Sequence, residues 1–211
     1  MKIQIWSDFT CPFCYIAKAN LDQALAQLGL DQSLDLEYKS FQLHPDLDSA
    51  KYQTYLNFLD HLGWDDEKIK DFSQQIAVLG QSAQVNIEID KLPAVNTLDA
   101  HRLYQYAKEQ GKGLAYFTSL SQAYFEDQAD LSDHNVLINL ASNLDLDQDE
   151  LSLILADKSA YTGQVNQDIF QAGAIGVEGV PFMALAGKYA IPGLQSAEIY
   201  SQAIQQISQA E

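Results

Sequence analysis

The sequence predicts an α/β fold in which a βαβ opening and an αββα close are separated by an all-helical segment. Three observations carry this prediction. Residues 2–6 alternate polar and apolar side chains, as a strand does. Residues 50–159 show helical periodicity throughout, and strand-like alternation returns at residues 182–191. The order of these patterns places two separate strand-forming regions around one helical stretch.

Residues 2–41 predict a strand, a helix and a second strand. Lys2-Ile3-Gln4-Ile5-Trp6 is β-branched at its apolar positions, and Pro12 suits the first turn of a helix, where a missing N–H costs nothing. An apolar stripe through Leu21, Leu25 and Leu28 continues that helix, and Gly29 ends it. A second alternating segment over residues 34–41 predicts a strand parallel to the first, joined by a right-handed crossover.

The middle of the chain carries helix-start and helix-stop signals in place of strands. We expect helices to be capped at Asn96 (with Asp99 in a box-like arrangement), at Ser132 or Asp133, and at Asp147. Gly111 predicts a helix end. The change of pattern predicts two domains, with residues 1–49 and 160–211 forming one and residues 50–159 forming a helical insertion.

The C-terminal part predicts a helix around residues 164–171, then a β-hairpin and a last helix. Residues 182–186 and 188–191 form the two strands, with Gly187 in the turn. Ser196 can cap the final helix. We expect one buried face on that helix, made of Ile199, Ala203, Ile204 and Ile207.

Composition and charge limit the class of protein. Of 211 residues, 47% are hydrophobic and 19% are charged, which is typical of a globular chain. The net charge of −17 opposes nucleic acid and anionic lipid as partners, because both require a positive surface. No apolar run suggests a membrane span, and residues 1–8 do not resemble a secretory signal, so we expect a cytosolic protein.

The two cysteines of the chain lie in Cys11-Pro12-Phe13-Cys14, directly after the first strand. Their i, i+3 spacing across a helix start allows a disulfide, and the helix N-terminus favours a thiolate. We therefore expect Cys11 to be the attacking sulfur with a lowered pKa, and Cys14, more enclosed, to be the resolving thiol. Phe13 adds no ionisable group, so the pair is not ranked as oxidant or reductant. The competing interpretations are a buried pair of small apolar side chains and a zinc site, although Cys-x-x-Cys supplies two of the usual four zinc ligands and no histidine pair in the sequence has ligand spacing.

Three segments resemble the DsbA family of thioredoxin-like proteins with a helical insertion, and within it the FrnE-like cytosolic branch. They are residues 5–16 (IWSDFTCPFCYI), residues 96–103 (NTLDAHRL) and residues 174–182 (AIGVEGVPF). Tyr189-Ala190-Ile191, with Gly193 and Gln195, extends the last of these. The resemblance covers most of the chain and implies a thioredoxin-like fold interrupted by an all-helical insertion.

The resemblance also implies roles for residues outside the cysteine pair. Pro181 matches the family's cis-proline, and Val180 before it would offer backbone groups to an extended substrate. His101 would lie near the active-site face and touch substrate or the Cys11 sulfur, with a capped or exposed helix histidine as the alternative. The implied partners are disulfide-containing proteins or peptides and small thiols. No cofactor is implied beyond the cysteine pair, with glutathione as a candidate thiol partner.

Three functions remain open at this point. The first is a cytosolic thiol–disulfide oxidoreductase or isomerase. The second is a glutathione-dependent enzyme similar to kappa transferases and hydroxychromene-carboxylate isomerases, which carry a serine where Cys11 stands. The third is a holdase chaperone in which the cysteines only sense oxidant.

Overall fold

The computed structural model describes residues 1–30 and 34–208, and its strands form a four-stranded mixed sheet. The strands are β1 (Lys2–Ser7), β2 (Asp35–Ser40), β3 (Phe182–Leu185) and β4 (Tyr189–Pro192). Their order across the sheet is β2-β1-β3-β4. β1 and β2 are parallel, while β3 is antiparallel to both β1 and β4. The predicted βαβ crossover and C-terminal hairpin are confirmed.

Helices occupy the positions that the periodicity indicates. They are α1 (Pro12–Leu28), α2 (Tyr55–His61), α3 (Asp66–Ser82), α4 (Leu98–Glu109), α5 (Gly113–Asp127), α6 (His134–Ser142), α7 (Gln148–Ala156), α8 (Thr162–Ala174) and α9 (Ala197–Ser208). A single 3₁₀ turn, Ile89–Lys91, lies between α3 and α4. Helices α2 to α7 all fall between β2 and α8 in the chain, and the division into two domains stays a prediction. Within the described ranges, no helix is long and apolar enough to cross a membrane.

The two faces of β1 pack against different helices. Ile3 and Ile5 are buried in the main core, together with residues of α1 and α9, and these two helices contact each other. Trp6 points to the opposite face and packs with Ala172 of α8. Its indole Nε1 donates a hydrogen bond to the carbonyl oxygen of Asp168, at 2.9 Å. The period of two along a strand therefore places the sheet between two helical layers.

Most of the predicted helix ends are confirmed. Gly29 adopts the left-handed conformation after α1, with φ of 66°, which a glycine does without steric cost. Asp133 and Asp147 cap α6 and α7 through their side chains. Asn96 is one residue too early, since Thr97 is the N-cap of α4, although the Asn96 side chain still accepts the N–H of Leu98 at 3.0 Å.

Two expectations about side chains are wrong. Asp99 does not form a capping box, because its carboxylate accepts a hydrogen bond from buried Arg102 at 2.6 Å. Ile199 is 45% exposed, whereas Tyr200 is buried at 1%. The buried face of α9 runs through Tyr200, Ile204 and Ile207, since this i, i+4, i+7 spacing keeps them on the side that contacts α1.

A buried polar network joins α8 to β2 and α4. The Asp168 carboxylate accepts hydrogen bonds from Lys39 Nζ at 3.0 Å, Ser40 N–H at 3.0 Å and Gln105 Nε2 at 2.8 Å. Lys39 Nζ also lies 3.1 Å from a carboxylate oxygen of Glu37. The Glu37 carboxylate forms further ion pairs with Lys2 and Lys108. These bonds satisfy a carboxylate that would otherwise be costly to bury, and they hold α8 against the sheet.

Candidate active site

The Cys11 sulfur lies at the N-terminus of α1, as the sequence predicts. Cys11 is the N-cap residue, with extended backbone angles (φ −82°, ψ 109°), and Pro12 begins the helix. The Sγ atom accepts a hydrogen bond from the backbone N–H of Cys14, at 3.3 Å. A side chain with an acceptor atom at this position satisfies one of the unpaired N–H groups of the first turn. The motif therefore places the first sulfur over the helix end and brings the second residue close to it.

Both cysteines are reduced and buried. Cys11 and Cys14 are free thiols, with 1% and 3% of their surface exposed. The expectation that Cys14 is the more enclosed of the two is wrong. In the β1–α1 turn that leads to Cys11, Phe9 is fully buried against the rings of α4 and α5.

Burial raises the pKa of the Cys11 thiol well above its ordinary value. The hydrogen bond and charge of the Cys14 side chain and the Asp8 carboxylate act in the same direction, while the Cys14 N–H acts against them. The sequence predicts a lowered pKa from the helix N-terminus alone, and this prediction is wrong for the closed, reduced protein. Desolvation outweighs a single amide contact when the sulfur is shut away from water.

The loop before β3 covers the cysteine pair. The peptide bond between Val180 and Pro181 is cis. The Cys11 thiol donates to the Val180 carbonyl oxygen, with 3.7 Å between sulfur and oxygen. Pro181 also borders a small void of about 10 Å³ together with Cys14 and Tyr200. The fold thus brings Val180 and Pro181 onto the motif across 169 residues of sequence.

Phe13 lies beside an open groove on the surface of the motif. Its half-buried ring contacts Phe72 of α3 edge-on, with ring centroids 6.0 Å apart. The groove, which we call the Phe13 groove, has a volume of about 640 Å³. It is lined by Phe13, Ile16, Asn20, Gln23, Gln75, Leu79, Ser82, Leu194, Gln195, Ser196, Ala197 and Glu198. The lining is mostly apolar or amide-bearing, and it extends from α1 to the start of α9.

His101 is buried close to the start of the cysteine motif, and its contact with substrate or with the Cys11 sulfur stays a prediction. It is 1% exposed, so an exposed helix histidine is wrong. Its Nε2 lies 3.3 Å from the Oδ1 atom of Asp8, and its ring stacks at a tilt on Phe9 with centroids 4.7 Å apart. Asp8, which the sequence reasoning missed, is itself 2% exposed and accepts the N–H of Leu43 at 2.7 Å. The signal for Asp8 was its position directly after β1, three residues before Cys11.

The fold and site together define a class of protein. A thiol pair that opens α1 after the first strand, faced by a cis-proline before an antiparallel hairpin, is the arrangement of a thioredoxin-like domain carrying a helical insertion. The profile of the DSBA-like thioredoxin domain matches residues 2–205. The chain belongs to that family, and its fold is the predicted thioredoxin-like one.

Individual relatives agree with this assignment. The chain is similar to a probable DsbA oxidoreductase of Streptomyces coelicolor, with 30% identity, a TM-score of 0.91, and coverage of 100% of this chain and 91% of that one. It is 27% identical to the Bacillus subtilis protein YwbO over 97% of this chain and 96% of YwbO. A 2-hydroxychromene-2-carboxylate isomerase shares the fold, with a TM-score of 0.73, 18% identity, and coverage of 100% of this chain and 97% of that one.

Proposed function

We propose that this protein catalyses thiol–disulfide exchange, with Cys11 as the nucleophile and Cys14 as the resolving thiol. The observation that carries the proposal is the contact of the Cys11 sulfur with both the Cys14 N–H and the Val180 carbonyl. The Cys14 N–H belongs to the helix N-terminus and to the resolving residue. The Val180 carbonyl belongs to the loop at which an extended substrate can pair through its backbone.

The two cysteine thiols supply both electrons for reduction of the substrate disulfide. The Cys11 thiolate attacks one sulfur of a substrate disulfide, which forms a mixed disulfide and releases the other sulfur as a thiolate. The Cys14 thiolate then attacks Cys11 Sγ, which releases the second substrate sulfur and leaves a Cys11–Cys14 disulfide. The substrate gains two electrons and the protein loses two. Two equivalents of a small thiol such as glutathione restore the dithiol and are themselves oxidised to a disulfide.

The raised pKa of Cys11 favours reduction of substrates over their oxidation. A strongly oxidising DsbA owes its potential to a stabilised reduced form, and a low-pKa thiolate is what supplies that stabilisation. Here burial keeps Cys11 protonated, so the reduced form of this protein lacks the stabilisation that a thiolate would give. A reductase suits a reducing compartment, and we therefore propose that the protein works in the cytosol, as expected for the FrnE-like branch.

We propose peptide or protein disulfides as the substrates. The Phe13 groove runs beside the motif, and its apolar and amide lining suits a polypeptide that has both apolar side chains and backbone groups. Of the described residues that line the groove, Glu198 alone has an ionisable side chain. We therefore expect recognition to depend on shape and backbone contacts more than on substrate charge.

The test is turnover of a fluorogenic peptide disulfide with a small thiol as the terminal reductant. Wild-type protein is expected to accelerate the reduction, and Cys11→Ser to abolish the acceleration while keeping its circular dichroism spectrum. Cys14→Ser is expected to lose turnover because the mixed disulfide is not resolved. Full activity of Cys11→Ser would overturn the proposal.

Two further assays on the same cysteine variants separate the two other functions. A glutathione-dependent isomerase would need glutathione for turnover of an isomerase substrate and would keep its activity in Cys14→Ala. A holdase would suppress aggregation of an unfolded client equally well when both cysteines are replaced. The cysteine at position 11 weighs against the isomerase, since the related isomerases are expected to carry a serine there.

A further inference from the structure

A second cavity lies beside the loop that follows β2, and the exchange reaction described above does not use it. Its volume is about 440 Å³, which is within the range of small-molecule sites. Leu43 borders the cavity and donates its backbone N–H to the Asp8 carboxylate at 2.7 Å. The Asp8 carbonyl in turn accepts the N–H of Cys11 at 3.2 Å. Two hydrogen bonds therefore connect this cavity to the cysteine motif.

Four aromatic rings border the cavity, which we call the aromatic cavity, and each ring contacts the next. They belong to His44 in the loop after β2, to Tyr52 just before α2, and to Phe58 and His61 in α2. The ring centroids are 4.8 Å apart for His44 and Phe58, 5.4 Å for Phe58 and Tyr52, and 5.1 Å for Tyr52 and His61. Because the face of an aromatic ring carries partial negative charge, such a wall attracts cations.

One cation of the chain already lies on this wall. The Lys51 ammonium group lies over the Tyr52 ring, 5.4 Å from its centroid, and Lys51 borders the aromatic cavity. Within residues 1–30 and 34–208, this ammonium group forms no ion pair. The side chain is exposed and has four rotatable carbon bonds, so a ligand cation can take its place on the ring at little cost.

Two carboxylates border the aromatic cavity beside the rings. Asp48 Oδ1 accepts the N–H of Ala50 at 3.1 Å. The Asp46 carboxylate is exposed and, among the described residues, has neither a hydrogen-bond nor an ion-pair partner. Burial lowers the pKa of His44, so its ring is neutral at neutral pH and adds no repulsion for a cation. The aromatic cavity thus combines ring faces with negative charge that is not paired within the protein.

We propose that the aromatic cavity binds a guanidinium group, which lies on the aromatic rings and donates hydrogen bonds to the Asp46 carboxylate. A guanidinium suits this lining better than an ammonium group does, because it is planar, more weakly hydrated and carries its N–H donors in the ring-stacking plane. Its binding displaces the Lys51 ammonium group from Tyr52.

The guanidinium group can come from a free guanidine compound or from an arginine side chain of a disulfide-bonded peptide. Only the second source rests on the proposed function. In that case the Phe13 groove supplies shape and backbone contacts, and the aromatic cavity adds one charged contact on a different lining.

The binding test is an NMR titration in which the backbone amide signals of residues 43–62 are followed at about pH 8, above the ordinary pKa of histidine. The probes are N-acetyl-arginine amide and N-acetyl-citrulline amide, which has nearly the same shape but no charge. We expect the arginine probe to bind about fivefold more tightly, which is the size expected of one cation–π contact. Equal affinities of the two probes would overturn the inference.

Three substitutions separate a specific site from general attraction to an acidic protein. Tyr52→Leu removes a ring and keeps an apolar side chain, and it should weaken binding of the arginine probe about fivefold. Asp46→Asn removes the acceptor charge and should weaken it about twofold. Lys51→Gln removes the competing ammonium group and should strengthen it at least about twofold. Asp46 and Lys51 are exposed, so both variants are expected to keep the circular dichroism spectrum of the wild type.

The chain supplies a matched control for Lys51→Gln. Lys68 Nζ also lies over an aromatic ring, 3.9 Å from the centroid of Trp64, but neither residue is among the described residues that line the aromatic cavity. Lys68→Gln makes the same change in net charge and is expected to leave binding of the arginine probe unchanged. Equal strengthening by the two lysine substitutions would show attraction by net charge alone and would overturn the inference, as would weaker binding in Lys51→Gln.

An exchange assay distinguishes the two sources of the guanidinium group. Peptide disulfides that differ only in carrying arginine or citrulline next to the cysteine are compared. A lower KM for the arginine peptide that is lost in Tyr52→Leu supports the substrate side chain as the source. Equal KM values together with the expected titration support a free guanidine compound. If the protein shows no exchange activity while the arginine probe binds as stated, the proposed function fails and the guanidinium site stands.

Discussion

The Cys11 sulfur lies 3.7 Å from the carbonyl oxygen of Val180, and its thiol donates a hydrogen bond to that oxygen. This contact joins the start of α1 to the loop before β3. A thiol can donate to a carbonyl but a thiolate cannot, so the contact favours the protonated form of Cys11. It agrees in direction with burial, which also disfavours the charged sulfur.

The first prediction concerns the reduction potential of the cysteine pair. Because burial keeps Cys11 protonated, the reduced form gains no thiolate stabilisation, and we expect a potential nearer to the about −270 mV of thioredoxin than to the about −120 mV of DsbA. Equilibration with glutathione buffers, read by mass spectrometry after acid quenching, measures it. A potential as high as that of DsbA would contradict the reductase assignment.

The second prediction is the pH dependence of substrate reduction. The thiolate is the reactive form, and the pKa of Cys11 is raised. The thiolate fraction therefore increases as pH rises, by about tenfold per pH unit while the pH stays below that pKa. Initial rates of disulfide reduction are expected to climb through neutral and into alkaline pH without a plateau. A rate that is already constant below neutral pH indicates an acidic Cys11 and contradicts this account.

The third prediction concerns acid stability and Glu37. Burial opposes ionisation of this carboxyl, but hydrogen bonds from Lys2 and Lys39 and the charges of Lys39 and Lys108 outweigh it and lower the pKa of Glu37 to about 2. A lowered pKa in the folded state stabilises the fold above the unfolded-state value of about 4.3 and loses that contribution as pH falls towards 2.

Urea unfolding of wild-type and Glu37→Gln protein across that window measures the contribution. The wild-type protein should lose more stability between neutral pH and pH of about 3 than the glutamine variant does. Parallel pH dependences for the two proteins would show that Glu37 does not carry the effect.

The fourth prediction is the cost of removing Asp168. Its carboxylate and Lys39 are 5% and 9% exposed, so Asp168→Ala leaves a buried ammonium group for which, among the described residues, Glu37 is the remaining ion-pair partner. We expect the free energy of unfolding to fall by about 3 kcal/mol.

The control is an ion pair of similar length on the surface. Lys91 and Glu88 are 2.7 Å apart, with side chains 54% and 43% exposed, and Glu88→Ala should cost much less stability than Asp168→Ala, because solvent screens the exposed pair. Chemical denaturation compares the two variants. Equal losses would mean that burial of the Asp168 network contributes little.

The fold was largely predictable because its signals are local. The strand alternation of β1, Pro12 at the first turn of α1 and the left-handed Gly29 after it act over a few residues, and all are confirmed. The sequence also placed Cys11 at the helix start, since the motif and the helix boundary coincide.

The electrostatics of the site were not predictable from local patterns. The pKa of Cys11 depends on how completely α1 and the Val180 loop exclude water, and Val180 is 169 residues away. Asp8 and His101 are 93 residues apart, so neither sequence neighbourhood shows that they pair. The helix N-terminus does supply an amide contact that lowers the pKa of Cys11, as the sequence predicts. The larger effect of desolvation, which raises that pKa, appears only once the chain is folded.

The most direct test of the account is capture of the mixed disulfide. Cys14→Ser protein is incubated with a disulfide-bonded peptide, quenched in acid and digested, and the linked fragments are identified by mass spectrometry. We expect a peptide joined to Cys11 and no such adduct on Cys14 in the matching Cys11→Ser protein. An adduct that forms on Cys14 in Cys11→Ser as fast as it forms on Cys11 would contradict the assignment of Cys11 as the attacking sulfur.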